Sequence, residues 1–144
     1  MNTKLSDNLA NTPLRYTLWW LAMGILLIIV IIIASLMPVP DVVNQLPQNT
    51  DKLQHFIAYF ILMGWFVQIY HLLSQRVCLA ICFILLGLLL EILQGFSGIR
   101  HADWTDILAN SLGILLAWQV GETRFSNILI YFEKHYLNSD SLDK

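Results

Sequence analysis

The chain has 144 residues, of which 57% are hydrophobic and 12% are charged, and its formal net charge is −2 at pH 7. Soluble domains usually carry about 25% charged residues, so this composition favours a membrane protein. The negative net charge excludes a basic nucleic-acid-binding protein, and the length is typical of one domain.

The first apolar segment covers residues 18–37 and contains no charged residue. At about 1.5 Å per residue, it is long enough to cross a hydrocarbon core of about 30 Å. A secretory signal is the alternative, but its apolar region usually has only about 7–15 residues. We therefore predict a retained membrane helix, with Trp19 and Trp20 at the membrane interface and Pro38 and Pro40 ending the helix.

Three further apolar segments predict three more membrane spans. We expect helices over about 51–73, from near 77 to the turn marked by Gly95 and Gly98, and from 104–106 to 120, with a tight turn at 74–76. In the segment 124–137, apolar residues recur at helical spacing, which predicts an amphipathic helix. This helix would either lie on the membrane surface or pack against the spans.

Together these elements predict an all-α protein, an integral membrane four-helix bundle with a C-terminal amphipathic helix. Residues 1–17 would form a cytoplasmic tail, 18–121 the four-span membrane domain, and 122–144 a cytoplasmic amphipathic helix and tail. Six of the eight lysine and arginine residues fall on one side of this topology, against Lys52 and Arg100 on the other. Because cytoplasmic segments are enriched in these residues, we expect both termini in the cytoplasm.

Ionisable residues fall at similar depths in three of the predicted spans. Asp51 and His55 lie one turn apart at the start of the second span. Glu91 lies about 22 Å from Arg76 along the third span, and Asp106 about 21 Å from the end of the fourth. An ionisable group that faced lipid would cost about 2.5–3.5 kcal/mol, so these groups should face one another or a wet cavity. We therefore predict a polar pocket in the outer leaflet.

The predicted pocket combines acids, bases and amides from the three spans and the connecting loops. Lys52 and Arg100 would supply positive charge. Asp106 and Asn110 share a helix face with Gly113, and small residues such as this glycine allow helices to pack closely. The candidate residues, for binding or catalysis, are Asp51, Lys52, His55, Tyr59, Glu91, Gln94, Arg100, Asp103, Asp106 and Asn110.

Three stretches carry these residues: "DKLQHFIAYFILMG", "GLLLEILQ", and an arginine followed by "ADWTDILANSLGILLA". Over about residues 51–117, their order and spacing resemble the VanZ-like family of small bacterial membrane proteins. That family is named for a protein that gives low-level resistance to teicoplanin, a glycopeptide that binds outer-leaflet cell-wall precursors. The resemblance implies a multi-pass protein of the bacterial inner membrane, part of the cell envelope, with a link to antibiotic resistance.

We expect the pocket to bind or modulate a cell-envelope or lipid-linked precursor, with membrane lipids and a lipid-linked cell-wall precursor or a glycopeptide as partners. The alternative is a membrane-embedded hydrolase or transferase that acts on a lipid-linked head group, with His55 as base and Glu91 as acid. Ser97 is the only nearby candidate nucleophile, so covalent catalysis has weak support. A third possibility is a structural role, in which ion pairs fix the register of the helices.

No metal ion or other cofactor is predicted. The pocket contains potential metal ligands, but no compact motif such as His-Glu-x-x-His accompanies them. Cys78 and Cys82 lie one helical turn apart in an apolar run, and a metal site would need more ligands than these two. We expect both to be ordinary side chains of the third helix.

Overall fold

The structure, a computed structural model, describes residues 14–38, 50–97 and 103–137. These residues form helices and short turns, and they contain no strand, which confirms the all-α prediction. The four long helices are α1 (Thr17–Leu36), α2 (Thr50–Phe66), α3 (Leu73–Ser97) and α4 (Trp104–Gly121). A 3₁₀ turn (Arg124–Asn127), the short helix α5 (Ile128–Phe132) and a π-turn (Glu133–Leu137) follow.

Two of these helices, α1 and α3, are long and apolar enough to cross a membrane by length and composition. Their most apolar windows have mean hydropathies of 2.7 and 2.6, respectively. Helices α2 and α4 are shorter, with 17 and 18 residues, and each has an acidic residue in its first turn. At about 1.5 Å per residue, these two helices are about 26–27 Å long.

The outward faces of the helices are apolar, whereas several polar side chains are buried. On α2, Leu53, Ile57 and Ile61 form a stripe at spacings of four residues, and each is between 44% and 55% exposed. Helices α3 and α4 carry similar exposed stripes. The buried polar residues of these helices are Arg76, Glu91, Gln94, Asp106 and Asn110. A soluble bundle has the opposite distribution, with its polar face toward water.

The most extensive contact in the fold is between α2 and α4. Gly113 permits this contact, because a Cβ atom at that position would lie 2.4 Å from the Phe56 carbonyl oxygen and 3.0 Å from the Phe60 nitrogen. Both neighbours are backbone atoms, which cannot move aside without moving α2. The core next to this contact consists of Tyr59, Leu62, Met63, Ile114 and Ala117.

The predicted boundary between the second and third helices is wrong. Helix α2 ends at Phe66 rather than near residue 73, and α3 begins at Leu73 rather than near 77. Residues 74–76 therefore belong to the first turn of α3, and 67–72 make the connection. The connection is stabilised by Arg76, whose guanidinium donates hydrogen bonds to the carbonyls of Val67 and Tyr70.

The predicted C-terminal helix over 124–137 is not continuous, because 3₁₀, α and π segments follow one another. One side of the segment packs against the bundle through Leu129 and Ile130, which are 6% and 5% exposed. The Leu129 amide also donates a hydrogen bond to the Gln68 side chain. The other side of the C-terminal segment is apolar and exposed, at Phe125, Ile128, Tyr131 and Tyr136. The segment thus combines the packing contact with an apolar outer face.

Candidate functional site

Seven polar residues meet where α2 and α4 begin and α3 ends, and we call this group the polar cluster. Helix periodicity places Asp51 and His55 on one side of α2, and Asp106 and Asn110 on one side of α4. The last turns of α3 bring Glu91 to the same place. The polar cluster consists of Asp51, Lys52, His55, Glu91, Asp103, Asp106 and Asn110.

His55 lies at the centre of the polar cluster, and its side chain is only 10% exposed. Its Nδ1 lies 3.2 Å from the Asn110 Oδ1. Its Nε2 faces three carboxylate oxygens, at 3.8 Å from Asp106 and 3.9 Å from both Asp51 and Glu91. These three distances are too long for hydrogen bonds, but they place the ring nitrogen in a strongly negative environment.

Lys52 is bound within the polar cluster. Its Nζ lies 2.6 Å from the Asp103 Oδ2 and 3.5 Å from the Asp106 Oδ1. Asp103 also caps α4, because its other carboxylate oxygen accepts a hydrogen bond from the Thr105 amide. The hydrogen bonds from Lys52 and Thr105 lower the pKa of Asp103 below its ordinary value. The ammonium group is therefore neutralised by the protein's own aspartates.

The polar cluster does not include every predicted pocket residue. Gln94 is buried, but its side-chain amide donates a 2.7 Å hydrogen bond to the Ser35 carbonyl and thereby joins α3 to α1. Tyr59 is 1% exposed, one turn along α2 from His55, and its hydroxyl has no hydrogen-bond partner among the described residues. Arg100 lies outside the described residues.

A groove of about 260 Å³ borders the polar cluster between α1 and α2. Its polar lining residues lie at the end near the polar cluster, and they are Ser35, Asp51, Gln54 and His55. Deeper along the helices, its walls are mostly apolar and consist of Leu27, Val30, Ile31, Ala34, Ala58, Tyr59 and Ile61. From Leu27 to Ser35 the groove follows α1 for about 12 Å.

At the opposite end of the bundle, Arg76 is only 4% exposed and holds three segments together. Its guanidinium donates hydrogen bonds to the carbonyls of Val67, Tyr70 and Gly121 and pairs with Glu122 at 2.7 Å. Arg76 is predicted from the sequence to lie in a turn, and this role was not predicted. The available signal was an arginine next to a long apolar helix, because a buried arginine needs hydrogen-bond partners.

Glu122 is the exposed member of that ion pair, because its side chain is 59% exposed. The Trp118 indole donates a hydrogen bond to the same carboxylate oxygen that pairs with Arg76. These contacts, first the hydrogen bond from Trp118 and then the one from Arg76, lower the pKa of Glu122 below its ordinary value of 4.5.

A second buried carboxylate, Glu133, joins the C-terminal segment to the start of α1. It accepts hydrogen bonds from the backbone amides of Arg15 and Tyr16, at 2.7 and 3.0 Å, and from the Trp20 indole at 2.6 Å. Trp20, which is predicted to lie at the membrane interface, thus also makes a tertiary contact with the C-terminal segment.

No family model, curated protein or solved structure matches this chain. A functional proposal therefore starts from the site itself. The polar cluster combines carboxylates, an imidazole and an amide, beside a groove that becomes apolar with depth. Such a site can bind a polar head group, exchange protons with it, or coordinate a cation.

Proposed function

We propose that this protein binds an amphiphile of the bacterial cell envelope, a lipid-linked precursor, with its head group at the polar cluster and its chain in the groove. The observation that carries this proposal is the change from polar to apolar lining along one groove. Ser35, Asp51 and His55 line one end, and Leu27 and Ile61 lie deeper. A molecule with a polar head and an apolar chain matches that order.

The charges of the polar cluster favour a head group rich in hydroxyl groups. Of the two residues predicted to supply positive charge, Lys52 is paired with Asp103 and Asp106, and Arg100 lies outside the described residues. The groove offers a carboxylate, an imidazole and an amide, from Asp51, His55 and Gln54. A carboxylate accepts hydrogen bonds, whereas an amide and a neutral imidazole can both donate and accept them. The hydroxyl groups of a saccharide need both kinds of partner.

The membrane arrangement that supports this function has four spans, α1 to α4, with both termini in the cytoplasm. The apolar stripes on the outward faces support contact with lipid, and the polar cluster then lies at the outer ends of the helices. The Arg76 and Glu133 contacts would lie at the cytoplasmic end. Helices of about 26–27 Å nearly match a hydrocarbon core of about 30 Å.

We further propose that the chain is a VanZ-like protein. Support comes from the quoted motif residues, because seven of the candidate pocket residues meet in one polar cluster although they come from three separate segments. An outer-leaflet site for a lipid-linked cell-wall precursor would connect the protein to teicoplanin, which binds such precursors.

Native mass spectrometry of the protein, purified with its membrane lipids, tests the proposal. Ala34→Trp should fill the groove, because Ala34 lines it. Ile33→Trp is the matched control, because Ile33 is the preceding residue of α1, is 52% exposed and does not line the groove. We expect one amphiphile mass on the wild type and the control, and its loss from Ala34→Trp. Equal retention by both variants would refute binding in the groove.

The second candidate function is acid–base catalysis on the same head group, and one observation favours it. His55 borders the groove and faces carboxylates of α2, α3 and α4 within 4 Å, which is the setting of a general base or acid. The same mass spectra distinguish the two functions. A wild-type product mass that accumulates with time, and is absent from His55→Gln, would indicate turnover.

A further inference from the structure

The Nε2 atom of His55 has no hydrogen-bond partner among the described residues. Three carboxylate oxygens surround it, from Asp51, Glu91 and Asp106, at 3.8–3.9 Å. None of the three is close enough to accept a hydrogen bond from it. A cation bound at this position would interact favourably with all three carboxylates.

The other ring nitrogen shows how the imidazole is oriented. An amide oxygen can only accept a hydrogen bond, so the contact from the Asn110 Oδ1 to the Nδ1 places a proton on the Nδ1. In the neutral imidazole, the lone pair is then on the Nε2, directed at the carboxylates. Metal-binding histidines usually have this arrangement, with the second nitrogen donating to an oxygen that fixes the ring.

A buried hydroxyl beside the polar cluster provides independent support. Tyr59 is 1% exposed, lines the groove with Asp51 and His55, and has a hydroxyl with no hydrogen-bond partner among the described residues. A Cβ atom placed on Gly87 would lie 3.2 Å from this hydroxyl and 2.9 Å from the Asn110 amide nitrogen. The hydroxyl and the Asn110 side chain therefore both lie beside Gly87, at the edge of the polar cluster. A water molecule on a bound ion would give it a partner.

The group could hold a small ion if its side chains moved together. Ligand atoms of Asp51, His55 and Asp106 all lie within 4.8 Å of one another. Two ligands about 2.1 Å from a tetrahedral zinc ion are about 3.4 Å apart, so the nitrogen–oxygen distances would shorten by about half an ångström and the longest separation by up to about 1.4 Å. Lys52 approaches only the Oδ1 of Asp106, whereas the Oδ2 faces His55.

We propose that Asp51, His55 and Asp106 bind one divalent transition-metal ion, with Glu91 beside it as a further oxygen donor. The imidazole nitrogen favours ions such as Zn²⁺ over Mg²⁺ or Ca²⁺, which prefer oxygen ligands alone. The site does not depend on the amphiphile in the groove.

Zinc titration by calorimetry tests this proposal on the full chain in detergent, after treatment with a chelator. We expect one Zn²⁺ per wild-type chain. His55→Gln and Asp106→Asn should each weaken binding by more than about 100-fold. Asn110→Ala, which removes only the orienting group, should weaken it by about 10–100-fold. Glu122→Gln, a carboxylate variant at the opposite end of the bundle, should bind as the wild type does.

Thermal unfolding of each metal-free variant shows whether it is folded, and only folded variants are compared. Wild-type binding no tighter than that of His55→Gln would overturn the proposal. Equal binding by all variants would also overturn it, because the zinc would then be an adventitious ion at another place. Ala34→Trp should keep its zinc, so failure of amphiphile binding and failure of the metal site are distinguishable.

Discussion

Gly113→Ala adds a single methyl group, and we expect it to destabilise the packing of α2 on α4. The added Cβ would lie 2.4 Å from the Phe56 carbonyl oxygen, whereas a carbon and an oxygen in contact are normally about 3.3 Å apart. The two helices must therefore separate by roughly 1 Å. Overpacking of this kind usually costs about 1–3 kcal/mol, and the gain in helix propensity of about 1 kcal/mol offsets part of that cost relative to the wild type.

The matched control is Gly64→Ala on α2. A Cβ atom there would have only the Ala117 Cβ as a neighbour, at 4.0 Å, which is an ordinary contact. Because alanine is a better helix former than glycine by about 1 kcal/mol, this variant should be as stable as the wild type or slightly more stable.

Chemical unfolding in mixed micelles, followed by tryptophan fluorescence, measures both variants. We expect Gly113→Ala to lose about 1–3 kcal/mol relative to Gly64→Ala. The separation of the helices should also lengthen the contact between His55 and Asn110, now 3.2 Å, and so weaken the polar cluster. Equal stability of the two variants would refute the close packing of α2 on α4.

Four other predictions concern the opposite end of the bundle and the topology. Arg76→Ala should cost about 3 kcal/mol because it leaves three backbone carbonyls without their donor, whereas Glu122→Gln should cost under about 1 kcal/mol because that carboxylate is exposed. Because the pKa of Glu122 is lowered in the folded protein, its contribution to the free energy of unfolding is complete above pH 4.5 and is lost as the pH falls further. The free energy of unfolding should therefore change less between pH 6 and pH 4 in Glu122→Gln than in the wild type. Glu133→Ala should destabilise the protein more than Glu133→Gln, which keeps one acceptor oxygen for the start of α1; equal losses in the same unfolding assay would contradict the contact. In a cysteine-free background, a cysteine at Gln45 should react with an impermeant thiol reagent in intact spheroplasts, whereas one at Ser139 should not; the opposite pattern would reverse the topology.

The polar cluster could be predicted from the sequence because each part of it follows helix periodicity. Asp106, Asn110 and Gly113 share one face of α4, and Asp51 and His55 share one face of α2. Ionisable residues in an apolar chain have few favourable places, so their similar predicted positions along the helices were sufficient to bring the faces together.

Long-range contacts could not be predicted in this way. Arg76 bonds to a carbonyl 45 residues away, and Glu133 to an amide 118 residues away, so no local pattern contains either pair. The end of α2 was also missed, because the segment 67–73 contains no proline or glycine, whereas 74–76 looked like a polar turn. The possible metal ligands come from two helices, and no linear motif joins them.

Glu91→Gln tests most directly whether the polar cluster binds a ligand or only holds helices together. Glutamine keeps the shape of the side chain and an oxygen for the Asp103 amide, but it removes a charge facing His55. Native mass spectrometry and thermal unfolding are measured on the same preparation. We predict that the amphiphile is lost while the unfolding midpoint stays within about 4 °C of the wild type, a shift that corresponds to about 1 kcal/mol. A variant that keeps the amphiphile but unfolds far below the wild type would contradict the proposal and assign the polar cluster a structural role.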